Sequence, residues 1–112
     1  MAKVEIIESL AEEIQKKFKS ESHEIVKLLR TLENNPKKGR FLGEVAGVAI
    51  KELKYKSFRF YFVTNGYRLR VLSIEKLKDL IIKFVRMSDK KSQQKTIDEI
   101  KNILRKFGEK GF

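Results

Sequence analysis

The chain has no cysteine and no tryptophan, one proline and one histidine. Without cysteine there is no disulfide framework and no thiolate metal site, and nothing points to an oxidising compartment. The lone histidine, His23, lies far in sequence from any Ser, Asp or Glu cluster, so no hydrolase triad is expected, and its place in a predicted helix makes it a surface residue. Acidic residues are scattered, mostly beside lysines at helix-pairing distance, which argues against a metal site. Gly39, Gly43 and Gly47 are regularly spaced, but no helix follows them, so they read as loop hinges and not as a phosphate-cradling loop. No apolar run approaches the ~20 residues that span a bilayer, and the opening MAKVEIIESLAEEIQ is acidic where an export signal is basic. The expectation is a cytoplasmic chain of one domain, residues 1–112, with no membrane association, metal or small-molecule cofactor.

What is abundant is positive charge, and it is unevenly placed. The formal net charge is +11. Residues 1–35 carry six Lys/Arg against seven Asp/Glu, whereas residues 36–112 carry twenty against eight, so the whole excess sits in the later two thirds. A basic region joined to a near-neutral one is the electrostatic footprint of a polyanion binder.

Hydrophobic periodicity organises the chain. Lys3–Ile6 reads as a short strand. Ile7, Leu10, Ala11, Ile14 and Phe18 then recur at helical spacing from about Glu8 to Lys19, with Ser9 and Glu12 in the pattern of a capping box. Ile25, Leu28, Leu29 and Leu32 stripe a second helix, capped by Ser20 or Ser22, that stops before Asn34-Asn35-Pro36. Pro36–Gly47, with Lys37, Lys38 and Arg40, is expected to be an irregular, mobile basic loop. Val48–Tyr55 alternates imperfectly, Ile50 being out of phase with Leu53 and Tyr55, but its β-branched and aromatic content favours a strand in which Glu52 and Lys54 share a face. Leu80–Val85 is an apolar strand ending at Arg86, Ser88–Ser92 a charged turn, and Thr96 with Glu99 a capping box for a last amphipathic helix ending at Gly108. The fold class expected is α+β: an N-terminal helical hairpin and a C-terminal helix packed on one face of a small twisted antiparallel sheet of three to five strands.

The stretch Ser57–Leu72, SFRFYFVTNGYRLRVL, reads as a β-hairpin, because Asn65-Gly66 accepts the positive φ of a two-residue type I′ turn. That register pairs Thr64 with Tyr67 and Tyr61 with Arg70. Phe58, Phe60, Phe62, Leu69 and Val71 then share a core side, and Arg59, Tyr61, Arg68 and Arg70 an outer one. Such a face suits phosphate. Metal-free RNA cleavage needs a base for the 2′-hydroxyl, cations for the charge growing on phosphorus oxygens, and an acid for the leaving oxygen; Lys, Tyr and Arg can supply these where neighbouring cations tune them. The same residues also bind nucleic acid without cutting it, with Tyr61 and Tyr67 as stacking platforms. Arg68 and Arg70 fit a solvated outer face as well as a binding one, and Lys90-Lys91 is usually a solvated turn. Arg59 and Arg86 stand out, since each interrupts or ends an otherwise apolar strand, where an idle charge is costly.

Several short segments, in this order and spacing, resemble the RelE/ParE toxin superfamily, in particular its phage-derived, HigB-like branch. LLRTLENNPKKGRFLGE is similar to that branch's leucine-rich second helix, asparagine-proline break and glycine-bearing loop. Glu52-Leu53-Lys54 stands where the branch often has Glu-Leu-Arg, and Phe58-Arg59-Phe60-Tyr61-Phe62 where it has an arginine and an aromatic-rich strand. Phe84-Val85-Arg86-Met87 and Lys95-Thr96-Ile97-Asp98-Glu99-Ile100 resemble its Phe-Val-Lys-Lys and Lys-Thr-Pro-x-x-Glu-Ile. The chain departs from that pattern at Met87, at Ile97 and in Tyr67–Asp79, which is longer by about ten residues. The resemblance implies a cytoplasmic toxin that cleaves mRNA, typically at the ribosome, as a metal-independent endoribonuclease neutralised by a cognate antitoxin protein. It makes Lys54 a candidate base or phosphate clamp, Arg59 and Arg86 stabilisers of the charged phosphate, Lys90 or Lys91 a supplementary contact, and Tyr61 a residue that positions a base. The superfamily also contains gyrase-directed and noncatalytic members, which leaves a binding module as the alternative.

Overall fold

The computed structural model describes residues 1–112. Nine regular elements follow one another: β1 (Lys3–Ile6), α1 (Glu8–Phe18), α2 (Ser22–Arg30), β2 (Arg40–Val45), β3 (Val48–Tyr55), β4 (Phe58–Asn65), α3 (Gly66–Val71), β5 (Ile81–Asp89) and α4 (Gln93–Phe107), with short 3₁₀ turns between and after them. The strands form one sheet in the order β1-β5-β4-β3-β2. All neighbours are antiparallel except β1, which runs parallel to β5. The chain is therefore α+β, as its periodicities predict, with a mixed sheet in place of a purely antiparallel one. No helix is long and apolar enough to cross a membrane.

Both faces of the sheet are covered, not one. Phe60, Phe62, Phe84, Ala49 and Leu53 pack beneath α1 and α2 through Leu10, Ile14, Ile25 and Leu29. Phe18 meets Phe58 edge-on at 5.1 Å and Phe62 tilts against Phe84 at 4.9 Å, geometries that aromatic quadrupoles favour. On the opposite face Val48, Ile50, Tyr61, Val63 and Val85 pack beneath α4 through Ile97, Ile100 and Leu104. Two covered faces explain the broken alternation of Val48–Tyr55: Ile50 serves one core and Leu53 the other, so neither parity is polar.

The expected hairpin at Asn65-Gly66 does not form. The turn that joins two antiparallel neighbours is Lys56-Ser57, since β3 and β4 pair from Tyr55 with Phe58 to Val48 with Asn65. Thr64 thus faces Ala49, not Tyr67. Asn65 keeps a negative φ of −66° and caps α3, its side-chain oxygen accepting from the Arg68 amide at 2.9 Å. The residues that favour a type I′ turn also favour a helix start, and here the capping option wins. A Cβ on Gly66 would meet the Glu44 carboxylate, which would have to move aside, and lie 3.1 Å from the Gly47 carbonyl, so the position is tight for any side chain. The long Tyr67–Asp79 segment becomes α3 and a 3₁₀ turn, Ile74–Lys76, carrying the chain from β4 to β5.

Three further expectations need correction. Pro36–Gly47 is half strand: β2 is an edge strand, and the loop before it is pinned where the buried Lys51 ammonium donates to the Lys37 carbonyl at 2.8 Å. Ser9 and Thr96 do not cap helices, because α1 begins at Glu8 and α4 at Gln93, leaving both inside the first two turns. Nor does the last strand stop at Arg86. β5 continues to Asp89, and a bulge leaves Val85 without a partner between Arg86, opposite Tyr61, and Phe84, opposite Phe62.

Candidate functional site

The strand registers place the singled-out residues on one face. Across the sheet, Arg40 on β2 pairs with Glu52 on β3, Glu52 with Tyr61 on β4, and Tyr61 with Arg86 on β5. The next row toward the Lys56-Ser57 turn runs Lys54, Arg59, Ser88. Side chains of one row point to one side, and Tyr61 belongs to the core under α4, so both rows lie on the α4 face. Lys54 and Arg59 are direct cross-strand neighbours, and Arg86 is a diagonal neighbour of Arg59, about 7–8 Å off along the backbone.

Where α4 begins, its cover ends, and a shallow cleft of about 430 Å³ opens, lined by Lys38, Gly39, Arg40, Glu52, Leu53, Lys54 and Arg59. Four cations and one carboxylate share it. The carboxylate is sunk: the Glu52 side chain is 6% exposed, against 12% for Arg59 and 74% for Arg40. Arg40 approaches one Glu52 oxygen at 3.6 Å and Arg59 the other at 4.0 Å, while the Gln93 amide at the start of α4 donates to both at 3.4 Å. Gly39 is essential to this wall, because a Cβ there would sit 3.0 Å from both the Glu52 carbonyl and the Phe62 ring, and its φ is +105°.

Sequence reasoning placed Lys54 and Arg59 correctly with respect to each other but missed Arg40, Glu52, Lys38 and Gln93. Glu52 had a signal: a carboxylate in the middle of a strand that is apolar on both parities has to be paired. Arg40 had none, since its segment reads as loop.

Arg86 shares the face but not the cleft. Its Nε donates to Glu99 on α4 at 2.7 Å, one terminal nitrogen donates to the Val85 carbonyl at 2.7 Å, and its guanidinium lies 5.3 Å from the Phe112 ring centre. Tyr61 is fully buried, and its hydroxyl hydrogen bonds to the Ser88 hydroxyl at 2.7 Å. Burial pushes that phenol up, with Glu52 adding to the effect. Its expected role of positioning a base is therefore corrected: no ring face reaches solvent. Lys90 and Lys91 are exposed in the turn after β5, at the same end as Arg59 but outside the cleft lining. That turn is held by the Ser92 amide donating to Asp89 at 2.9 Å, which keeps the Asp89 carboxyl below its usual range.

Arg68 and Arg70 leave the site altogether. They sit on α3, beyond the far end of β4, so six residues at ~3.3 Å each put that end about 20 Å from Arg59. Arg70 is ion-paired with Glu44. At the near end, Glu21 ties α1 and α2 to the β3–β4 turn: Lys56 pairs with it and the Tyr55 hydroxyl donates to it at 2.9 Å. Those hydrogen bonds, Lys56 first, hold the Glu21 carboxyl below its ordinary range and raise Lys56. No three His, Asp or Glu side chains gather as metal ligands would. No family model, curated protein or solved structure matches the chain.

Proposed function

We propose that this chain is a RelE-like toxin: a metal-independent endoribonuclease that grips mRNA by its phosphates, acts at the ribosome in the cytoplasm, and is held in check by a cognate antitoxin. One observation carries the reading, the convergence of Lys38, Arg40, Lys54 and Arg59 on a single open cleft at one end of the sheet. Guanidinium and ammonium groups so gathered are suited to a phosphodiester and to the extra charge it gains as it is attacked. In the step proposed, the 2′-oxygen bonds to the adjacent phosphorus, the bond from phosphorus to the 5′-oxygen breaks, and the leaving oxygen takes up a proton. Lys54, exposed beside Arg59, is the group placed to clamp the phosphate as an ammonium or, in its neutral amine form, to take the 2′-hydroxyl proton, and Arg59 holds the phosphorus oxygens. Arg86 joins them only by exchanging Glu99 for phosphate.

That engagement of Arg86 favours a second reading, a noncatalytic module of the same fold that binds nucleic acid or a protein partner such as gyrase. Inducible expression separates the two. Growth and translation are followed for the wild type, Arg59→Ala and Arg86→Ala, alongside the cleavage of single-stranded RNA in vitro. The nuclease reading expects arrest by the wild type and relief by both substitutions. A well-expressed wild type that leaves growth and RNA intact in the absence of any antitoxin overturns it, as do two variants as toxic as the parent.

A further inference from the structure

We propose that Glu52 is a positioning residue: a built-in counter-anion that holds the guanidiniums of Arg40 and Arg59 on either side of one phosphate position and gives them up when phosphate arrives. The inference rests on the cleft's reading as a phosphate site. Its starting point is a carboxylate that has no cheap reason to be where it is. A 6% exposed Glu side chain has lost most of its hydration, and such a group is tolerated only if fixed partners replace the water. Glu52 has three partners, and they are arranged one arginine to each oxygen, with the Gln93 amide across both.

The distances decide what this arrangement is for. At 3.6 Å and 4.0 Å the two arginines are at ion-pair range but beyond a direct hydrogen bond, so the carboxylate orients them without consuming their donors. A guanidinium has five N–H donors. Arg59 uses one on the Ser57 carbonyl at 3.3 Å. Both Arg40 and Arg59 line the open cleft, Arg40 with 74% of its side chain exposed, and no further protein acceptor takes their remaining donors. The two cations thus flank one anion, one at each of its oxygens, on the lining of the cleft. An arriving phosphate meets donors already aligned, and its ground-state affinity is lowered by repulsion from Glu52. A purely structural carboxylate would make no such trade.

The test uses fluorescence anisotropy of a labelled single-stranded oligouridine of about ten nucleotides, titrated with the full chain across a salt series. Glu52→Gln keeps the shape and the Gln93 contact but removes the charge, and is expected to tighten binding by about threefold to tenfold. Arg40→Gln, at a side chain 74% exposed and with its fold checked by circular dichroism, is expected to weaken binding and reduce the salt slope by about one contact. In the double variant the gain from Glu52→Gln should shrink, because one of the two released cations is gone. If the wild type binds no RNA at low salt, the phosphate reading fails and this inference with it. If the wild type binds, but Glu52→Gln leaves affinity unchanged, or Arg40→Gln leaves affinity and slope unchanged, or the two effects simply add, the phosphate site stands and the counter-anion role is overturned. Should Glu52→Gln fail to fold, Glu52→Asp, which keeps the charge but draws it back from both arginines, replaces it: altered affinity supports the counter-anion role and unchanged affinity overturns it.

Discussion

The two faces of β4 are built from the same eight residues and end in opposite chemistry. Toward α1 and α2 the strand presents Phe58, Phe60 and Phe62, and the layer is apolar across the sheet apart from Lys51, opposite Phe62, whose buried ammonium is paired with the Lys37 carbonyl. Toward α4 it presents Arg59, Tyr61 and Val63, passing from open cleft to closed core within five positions. One helix is the cause of the difference. Two helices and their connection cover the first face along its length, whereas α4 begins only at Gln93, short of the row that holds Lys54 and Arg59. Charge survives on a sheet where the covering layer stops, and the stopping point selects which cations are available to a ligand.

This contrast can be broken at both faces, with effects that fall off in order. Phe62→Ala removes a fully buried ring and should cost about 3–5 kcal/mol in urea denaturation. A loss under about 1 kcal/mol would mean that the aromatic face is not a tightly packed core. Arg59→Gln should lower RNA affinity by about tenfold near 0.1 M salt and reduce the salt slope by about one, with a smaller stability change than Phe62→Ala. Unchanged affinity would remove the functional half of the comparison. Tyr61→Phe should destabilise by about 1 kcal/mol, since it strands the buried Ser88 hydroxyl, and leave RNA affinity as it was. A large affinity loss in this variant would return Tyr61 to the binding surface.

Acid should act on the ties at the end of the sheet. Hydrogen bonds hold the Glu21 carboxyl below its ordinary value of 4.5, so the folded chain takes up that proton less readily than the unfolded one. The resulting stabilisation is present above that value and lost as pH falls through the lower folded one. The gap in denaturation midpoint between the wild type and Glu21→Gln should therefore be full above about pH 4.5 and close progressively as pH falls below it. A constant gap would show that the carboxyl is not held. Smallest of all, Arg68→Ala and Arg70→Ala, at the far end, should each shift stability by less than about 0.5 kcal/mol and affinity by less than about twofold.

How far these elements were legible in the sequence depended on whether their signals were local. The helical stripes and strand content of the chain are local, and α1, α2, α4, β1 and β3 fall where periodicity puts them, whereas α3 replaces an expected strand. Asn65-Gly66 was misread because a turn and a helix cap draw on the same residues, and the choice is made by Glu44 and Gly47, about twenty residues upstream, where the Gly66 amide donates to the Gly47 carbonyl at 2.9 Å. The true turn carries no signal at all: Lys56, a residue with no preference for it, takes a φ of +53° because strand pairing on both sides demands it. Lys54 and Arg59 could be paired in thought once both strands were recognised, but their joint register with Arg40 runs through β2, which a glycine-spaced basic segment conceals. Spacing alone reads Glu99 as half of a capping box, whereas its partner, Arg86, comes from a neighbouring strand that no local pattern reveals.

The bulge in β5 works as a parity switch. Before it, the even-numbered Ile82 and Phe84 point toward α1 and α2; after it, the odd-numbered Met87 does, and Val85 and Arg86 both face α4. Were the strand regular through these residues, with Val85 paired like its neighbours, alternation would drive the Arg86 guanidinium into the phenylalanine layer and turn Met87 out of it. The strand is thus tolerant in one direction: removing Val85 leaves a regular ladder in which Arg86 still faces α4 and Met87 the phenylalanine layer, at the loss of one core valine.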